Sequence, residues 1–570
     1  MVTVGTVKGR RARRLALAAA MAAALALAGA QAAWAGAGDG ALAAERVAPG
    51  DASREAAADY GIATLSDEPA ARADFGNGTS VVGTLDYCLR EAETWQEDAC
   101  TITLLEDTRF KGMDRFGSNV GAFIFDEAAS VTLDLNGHTA TAERPVTFIL
   151  SDTARMAVKD SGSGGALVNG PGKGYALFML GYTPDGNDAA ALSIEGGAID
   201  SGASWAVQVD YSCSLTMTGG SVTSSGDLAI GAWDGTVSMS GGSVTASAGS
   251  AGALYLDGRQ GNLRASISGG TLTAQAAQAV RVESGARLNL SGSPTLSGKL
   301  ADGSGSCGLL CASGASVTAN DGASAPAPYR GEPIATQTSE SMAVGEAFVS
   351  GLDASNANLF PLVGREDAAG AVFDGSALKL AAADDPAVAL LADLRAALGA
   401  APQDAVDLRA ADELRARLAG DPRLANQLHL LSEGELATLE ERIAALVAID
   451  AFEAAVAALP KATDAGARTA LDEAQALYEA VPDAYRSDAF VSPVSVAALA
   501  DFEKAVAEAE KPAPLPQPDP EPQQPAPLPA KPAAPAALAA TGDGVPAAPA
   551  ALLGLAAGAA ALAAARRRNA

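Results

Sequence analysis

Four carboxylates recur at near-even intervals in the middle of the chain: Asp210, Asp234, Asp257 and Glu283, spaced 24, 23 and 26 residues apart. Each closes a short apolar–polar alternation, as in Val207-Gln208-Val209-Asp210 and Leu254-Tyr255-Leu256-Asp257. Stacked as neighbouring strands, roughly 4.8 Å apart, such acids repel one another, and a cation such as Ca²⁺ would relieve them. They are therefore a candidate metal column. The competing reading is that acids end strands at exposed turns, as Asp234-Gly235 and Asp257-Gly258 suggest. Arg259, Arg264 and Arg281 lie near these acids in sequence, and Trp205, Trp233 and Tyr255 have the rings needed to stack on sugars. A lyase needs a basic side chain beside metal-binding acids, and a glycosidase needs two placed carboxylates. No spacing here compels either. No catalytic residue is assigned, and no cofactor is expected apart from Ca²⁺.

Counting from each acid sorts the side chains by face. Val209, Trp233, Leu256 and Val282 fall on one face, read as the core. Gln208, Ala232, Tyr255 and Arg281 fall on the other. Trp233 is accordingly expected to be packing.

The wider composition narrows the chemistry. Among 570 residues, 39 basic and 67 acidic side chains leave a formal charge of −28. That balance argues against holding nucleic-acid phosphates. Two histidines, His138 and His429, leave little for His-based zinc sites or triads. Five cysteines are too few for a disulfide scaffold. Cys88 with Cys100, and Cys307 with Cys311, are candidate disulfides, leaving Cys213 unpaired; the alternative is five small buried side chains.

The elements that must carry these residues repeat. Leu192-Ser193-Ile194-Glu195-Gly196-Gly197, Leu215-Thr216-Met217-Thr218-Gly219-Gly220, Val237-Ser238-Met239-Ser240-Gly241-Gly242, Ala265-Ser266-Ile267-Ser268-Gly269-Gly270 and Leu288-Asn289-Leu290-Ser291-Gly292 align. Alternation within each unit is strand periodicity with one buried face. A second strand follows each turn, placing Ile199, Val222, Val244, Leu272 and Leu296 inside, and the acid-ended segment is a third. Three short strands in about 23 residues make one coil of a parallel β-helix, whose coils must stack to bury their apolar faces. Thr84 to Trp95 reads as a helix covering the open end, with Leu85, Cys88, Ala92 and Trp95 on one face. In rung pattern, residues 76–325 resemble the pectate-lyase-like right-handed β-helix of bacterial surface proteins, a likeness of architecture that implies no particular activity.

Segment 326–385 reads as a connection with a few more strands. From Asp385-Pro386 the period becomes helical, with a capping box at Ser432-Glu433-Gly434-Glu435. Two copies about 60 residues apart match Asp412-Glu413 with Asp472-Glu473, Pro422 with Pro482, and Leu439 with Leu499. Residues 386–510 are thus expected to form two three-helix bundles, similar to modules of Gram-positive wall proteins. The expected fold class is mainly β, a right-handed parallel β-helix followed by this all-α region.

The ends speak of export. Residues 1–35 read as a signal peptide: Lys8 and Arg10, Arg11, Arg13 and Arg14, then an Ala/Leu run, then Ala33-Trp34-Ala35. Residues 36–75 read as a flexible segment. Proline-rich 511–537 suits a wall-spanning linker, reaching roughly 80 Å as polyproline II. Leu538-Ala539-Ala540-Thr541-Gly542 precedes an apolar stretch long enough to cross a bilayer, and then Arg566-Arg567-Arg568. Residues 538–570 resemble the Leu-Pro-x-Thr-Gly sorting signal of Gram-positive surface proteins, in its Leu-Ala-x-Thr-Gly form. The resemblance implies that a sortase thiolate attacks the Thr541 carbonyl, expels Gly542 and passes the acyl group to a peptidoglycan precursor. The membrane would then be spanned only before sorting. The expected role is an adhesin or glycan-binding module at the cell surface, meeting a glycan or host-surface ligand. A polysaccharide-cleaving enzyme and a passive stalk are the alternatives.

Overall fold

A computed structural model describes residues 69–511, apart from 95–98, 115–120, 127, 170–175, 182–188, 203–204, 227, 248–251, 260, 301–302, 323–326 and 366–368. The stretches read above as a signal peptide and a sorting signal, the proline-rich residues from 512 on, and Trp95 lie outside the described residues. The chain divides into a compact unit through Ala509 and a second unit from Glu510, of which residues 510–511 are described.

The compact unit is built on a parallel β-solenoid. Most coils contribute one strand to each of three sheets, which hold fourteen, eight and ten strands. In one such coil, Ala191–Ile194 joins the first sheet, Ala198–Ser201 the second and Trp205–Val209 the third. The alternating pattern keeps register from coil to coil: Leu192, Leu215, Val237, Ala265 and Leu288 are successive neighbours in the first sheet, all buried. In the second, Ile199, Val222, Val244 and Leu272 are buried, and Leu296 packs partly buried against them.

The paired glycines have two separate reasons. Gly220, Gly242 and Gly270 adopt φ of 70°, 82° and 86°, the left-handed region that L side chains disfavour. Their predecessors have no room: a Cβ on Gly219 would sit 2.4 Å from the Glu195 carbonyl oxygen of the preceding coil. One glycine lets the chain turn, and the other lets coils approach.

The third sheet's interior carries an aromatic ladder. Phe123, Phe148 and Phe178 are register partners and stack with ring centroids 5.5 and 5.2 Å apart. Val207, Ile230, Leu254, Val280 and Leu309 continue that column.

Both ends are covered. Helix α1 (Leu85–Thr94) buries Leu85, Cys88, Leu89 and Ala92, and its buried Glu93 accepts from the Ile124 N–H at 2.9 Å. The hairpin Ala71–Phe75 with Ser80–Gly83 adds antiparallel strands at that edge. At the far end Ala347–Ser350 joins Ala377–Ala382 and Ala369–Phe373, also antiparallel. The stacking extends past residue 325, because Thr336–Thr338 lengthens the third sheet.

Five α-helices follow: α2 (Pro386–Gly399), α3 (Ala405–Gly420), α4 (Glu433–Ala457), α5 (Ala467–Ala480) and α6 (Pro493–Ala509). Asp385 caps α2, and Ser432 with Glu435 forms the capping box of α4. Leu390, Leu391, Leu394, Leu418 and Leu439 belong to the same buried cluster as the solenoid core, whereas Ile449, Phe452, Leu471, Leu499 and Val506 form a second. The long α4 therefore serves both clusters, which a count of helices per repeat did not anticipate. Buried Gln427 joins helices to sheet: its Oε1 accepts from the Phe373 N–H at 3.0 Å and its Nε2 donates to the Phe373 carbonyl at 2.8 Å. A side-chain amide thereby satisfies an edge strand. Arg442 likewise donates to the carbonyls of Ala397, Leu398 and Ala400 at the end of α2. No helix among the described residues is long and apolar enough to cross a membrane.

Candidate functional site on the outer face of the third sheet

The outer face of the third sheet gathers the aromatic and charged residues that the repeat spacing singled out. Backbone register aligns Val209 with Ala232 and Leu256, and Gln208 with Gly231 and Tyr255. This overturns the assignment of Trp233 to the core. Ala232 takes the inward position and is fully buried, Gly231 takes the outward one, and Trp233 lies beyond the strand, half-buried. Counting from the acid failed because Asp234 stands one residue further along in its coil than Asp210, Asp257 and Glu283 do in theirs.

Gly231 makes the arrangement possible. A Cβ there would meet the Trp233 ring at 2.6 Å, so the indole occupies the space that a side chain would fill. Trp205 and Trp233 stack with centroids 5.0 Å apart and planes 29° apart. Tyr255 follows at 6.0 Å, tilted by 49°. The Arg281 guanidinium lies 5.7 Å from the Tyr255 centroid, a cation–π contact. A strip of half-buried aromatic surface therefore runs across successive coils and ends on a cation.

Polar groups border it. Gln208 Nε2 donates to Asp210 Oδ2 at 2.6 Å, and Arg281 pairs with Glu283. Asp257, 1% exposed, is held by the Arg259 guanidinium and accepts from the Arg259 N–H at 3.2 Å. Buried Asp234 accepts from the Gly235 N–H at 2.7 Å. Each of the four acids thus has its own partner, and among the described residues no three His, Cys, Asp or Glu side chains converge as metal ligands. Arg264 sits apart, on the first sheet.

Compared with known proteins, the chain matches no family model, no curated protein and no solved structure.

Asp210 is a strongly perturbed carboxyl on this face. Burial pushes its carboxyl up to about 6, the charge of Asp234 adds to that, and the Gln208 hydrogen bond opposes it. An unfolded chain releases this proton near 3.9. The folded chain therefore holds a proton between about pH 4 and 6 that the unfolded chain has lost, so stability falls as pH rises through that window. Asp210→Asn should remove the penalty while keeping the acceptor for Gln208. We expect the variant to be about 1–2 kcal/mol more stable than native near pH 7 and indistinguishable near pH 4. Urea unfolding at the two pH values checks this, and a variant less stable at neutral pH contradicts it.

All five cysteines are buried thiols. Neither the Cys88–Cys100 nor the Cys307–Cys311 bridge is present. Cys88 faces the Ala71 carbonyl at 3.4 Å, and Cys307 the Leu309 carbonyl at 3.3 Å. Burial pushes Cys88 and Cys307 up to about 11 and Cys100 up to about 12, which keeps them as unreactive thiols.

Proposed function

We propose that this chain is an exported surface protein, anchored to the wall of a Gram-positive bacterium, whose solenoid binds glycans along the outer face of the third sheet and so acts as an adhesin. The observation that carries the reading is the Trp205–Trp233–Tyr255 strip beside Gln208, Asp210 and Arg281. Aromatic surface meets the C–H faces of sugars, and flanking amide, carboxyl and guanidinium groups meet their hydroxyls. The sortase, acting at Leu538, Ala539, Ala540, Thr541 and Gly542 with a peptidoglycan precursor as acceptor, supplies the anchor. In this reading the solenoid winds right-handed, the sense that parallel crossovers adopt almost always. The helices form two three-helix bundles that share α4, and the proline-rich segment follows them in sequence.

A second reading rests on Asp210 and Asp234. Asp210, pushed up to about 6 by burial, has the raised carboxyl that a general acid in glycoside cleavage needs, and Asp234 is a second carboxylate close enough to act on it electrostatically. A glycan array combined with assays for new reducing or unsaturated ends separates the readings. Binding without product supports the adhesin, product supports the enzyme, and neither leaves a passive stalk. For the bound glycan, Trp233→Ala should weaken affinity by about 10- to 100-fold with little change in melting temperature. Unchanged affinity in the folded variant would remove the aromatic strip from the site.

A further inference from the structure

A second feature stands on the first sheet, away from the aromatic strip. Arg264 and Arg287 open the neighbouring strands Arg264–Ile267 and Arg287–Leu290 and are register partners, which sets their backbones roughly 4.8 Å apart. Both are exposed. Arg259 and Arg281 each have a carboxylate, whereas among the described residues neither the Arg264 nor the Arg287 side chain makes an ion pair or a hydrogen bond. Two like charges side by side repel. In a chain carrying 67 acidic against 39 basic side chains, these two cations stand side by side without an ion pair among the described residues.

The two arginines line one groove of about 430 Å³ with Asn289, Ser316 and Thr318. Ser316 is the register partner of Arg287, and Thr318 of Asn289, so the donors come from three successive coils. The Asn289 amide also makes no hydrogen bond among the described residues. Gly285 and Gly314 line the same groove, at φ of 79° and 77°, so no side chain fills its corner.

The geometry points to a binding site at Arg264 and Arg287 for a tetrahedral oxyanion carried on a sugar, a sulfate or phosphate ester. A carboxylate has two oxygens and is satisfied by one guanidinium fork, which would leave the second arginine unmatched. An ester with three terminal oxygens engages both guanidiniums and still accepts from Asn289 or Ser316. The surrounding acidic field disfavours a dense polyanion and favours an isolated charged group flanked by neutral sugar. This site does not depend on the aromatic strip.

Titration calorimetry of the full chain at low salt tests it. The probes are a sulfated disaccharide, a phosphorylated monosaccharide, digalacturonate and the unsubstituted sugars. Saturable binding of the sulfated or the phosphorylated probe is expected, and which of them binds identifies the ester. Binding should fall as salt rises. It should weaken about tenfold or more in the double variant Arg264→Gln/Arg287→Gln, while its circular dichroism and melting temperature stay native. Trp233→Ala should leave it intact, which separates this site from the strip. The inference is overturned if neither ester binds, if digalacturonate binds as tightly as the esters, or if the folded double variant binds as native does.

Discussion

Phe148→Ala should lower the stability of the compact unit by about 3–5 kcal/mol. Phe148 is fully buried between Phe123 on one side and Phe178 on the other, with Phe110 a further 6.2 Å contact. Its removal leaves a cavity between coils and deletes two stacked pairs, each contributing about 0.5–1.5 kcal/mol beyond area burial. Coils of a solenoid are stabilised chiefly by their immediate neighbours. The loss therefore weakens one interface rather than the whole core evenly, and the unfolding transition should broaden or split. Phe148→Leu, which keeps most of the volume, should cost roughly 1–2 kcal/mol. Urea unfolding followed by circular dichroism measures both. A cost below about 1 kcal/mol for the alanine variant would mean that the ladder does not hold adjacent coils together.

Thr541→Ala should abolish wall attachment. The acyl bond of the proposed linkage forms at the Thr541 carbonyl, and recognition of the pentapeptide Leu538–Gly542 precedes the attack. Without it the chain should accumulate in the membrane and culture fractions. Wall digests of native cells should yield a C-terminal peptide ending at Thr541 joined to a peptidoglycan fragment. An intact 542–570 tail on mature protein, or a variant still released only by wall digestion, would rule out sorting at this motif.

Much of the solenoid was legible in the sequence because its repeats state two physical requirements at once. Alternation at Leu215, Met217 and Val222 specifies the buried face, and the following Gly219-Gly220 specifies both a left-handed turn and close approach to the preceding coil. The misplacement of Trp233 has a definite cause. An acid at a corner is not a fixed origin for counting, since Asp234 lies one residue later than its counterparts. Gly231 was the available signal: a glycine two residues before a tryptophan leaves the space into which the ring folds. The joint between sheet and helices was not legible. Helical periodicity shows that Leu391 and Leu394 need a partner, but not that the partner is the end of the solenoid core. The same holds for Gln427, whose pairing with Phe373 spans 54 residues and leaves no local pattern.

Trp205 and Trp233 are two of the four tryptophans in the chain, so the proposed binding face reports on itself. The most direct measurement is acrylamide quenching of tryptophan fluorescence while an array-selected glycan is titrated in. Saturable protection that disappears in Trp233→Phe, at the midpoint found by calorimetry, is the predicted result. A glycan that binds by calorimetry yet leaves the quenching unchanged would place its site elsewhere and contradict the account.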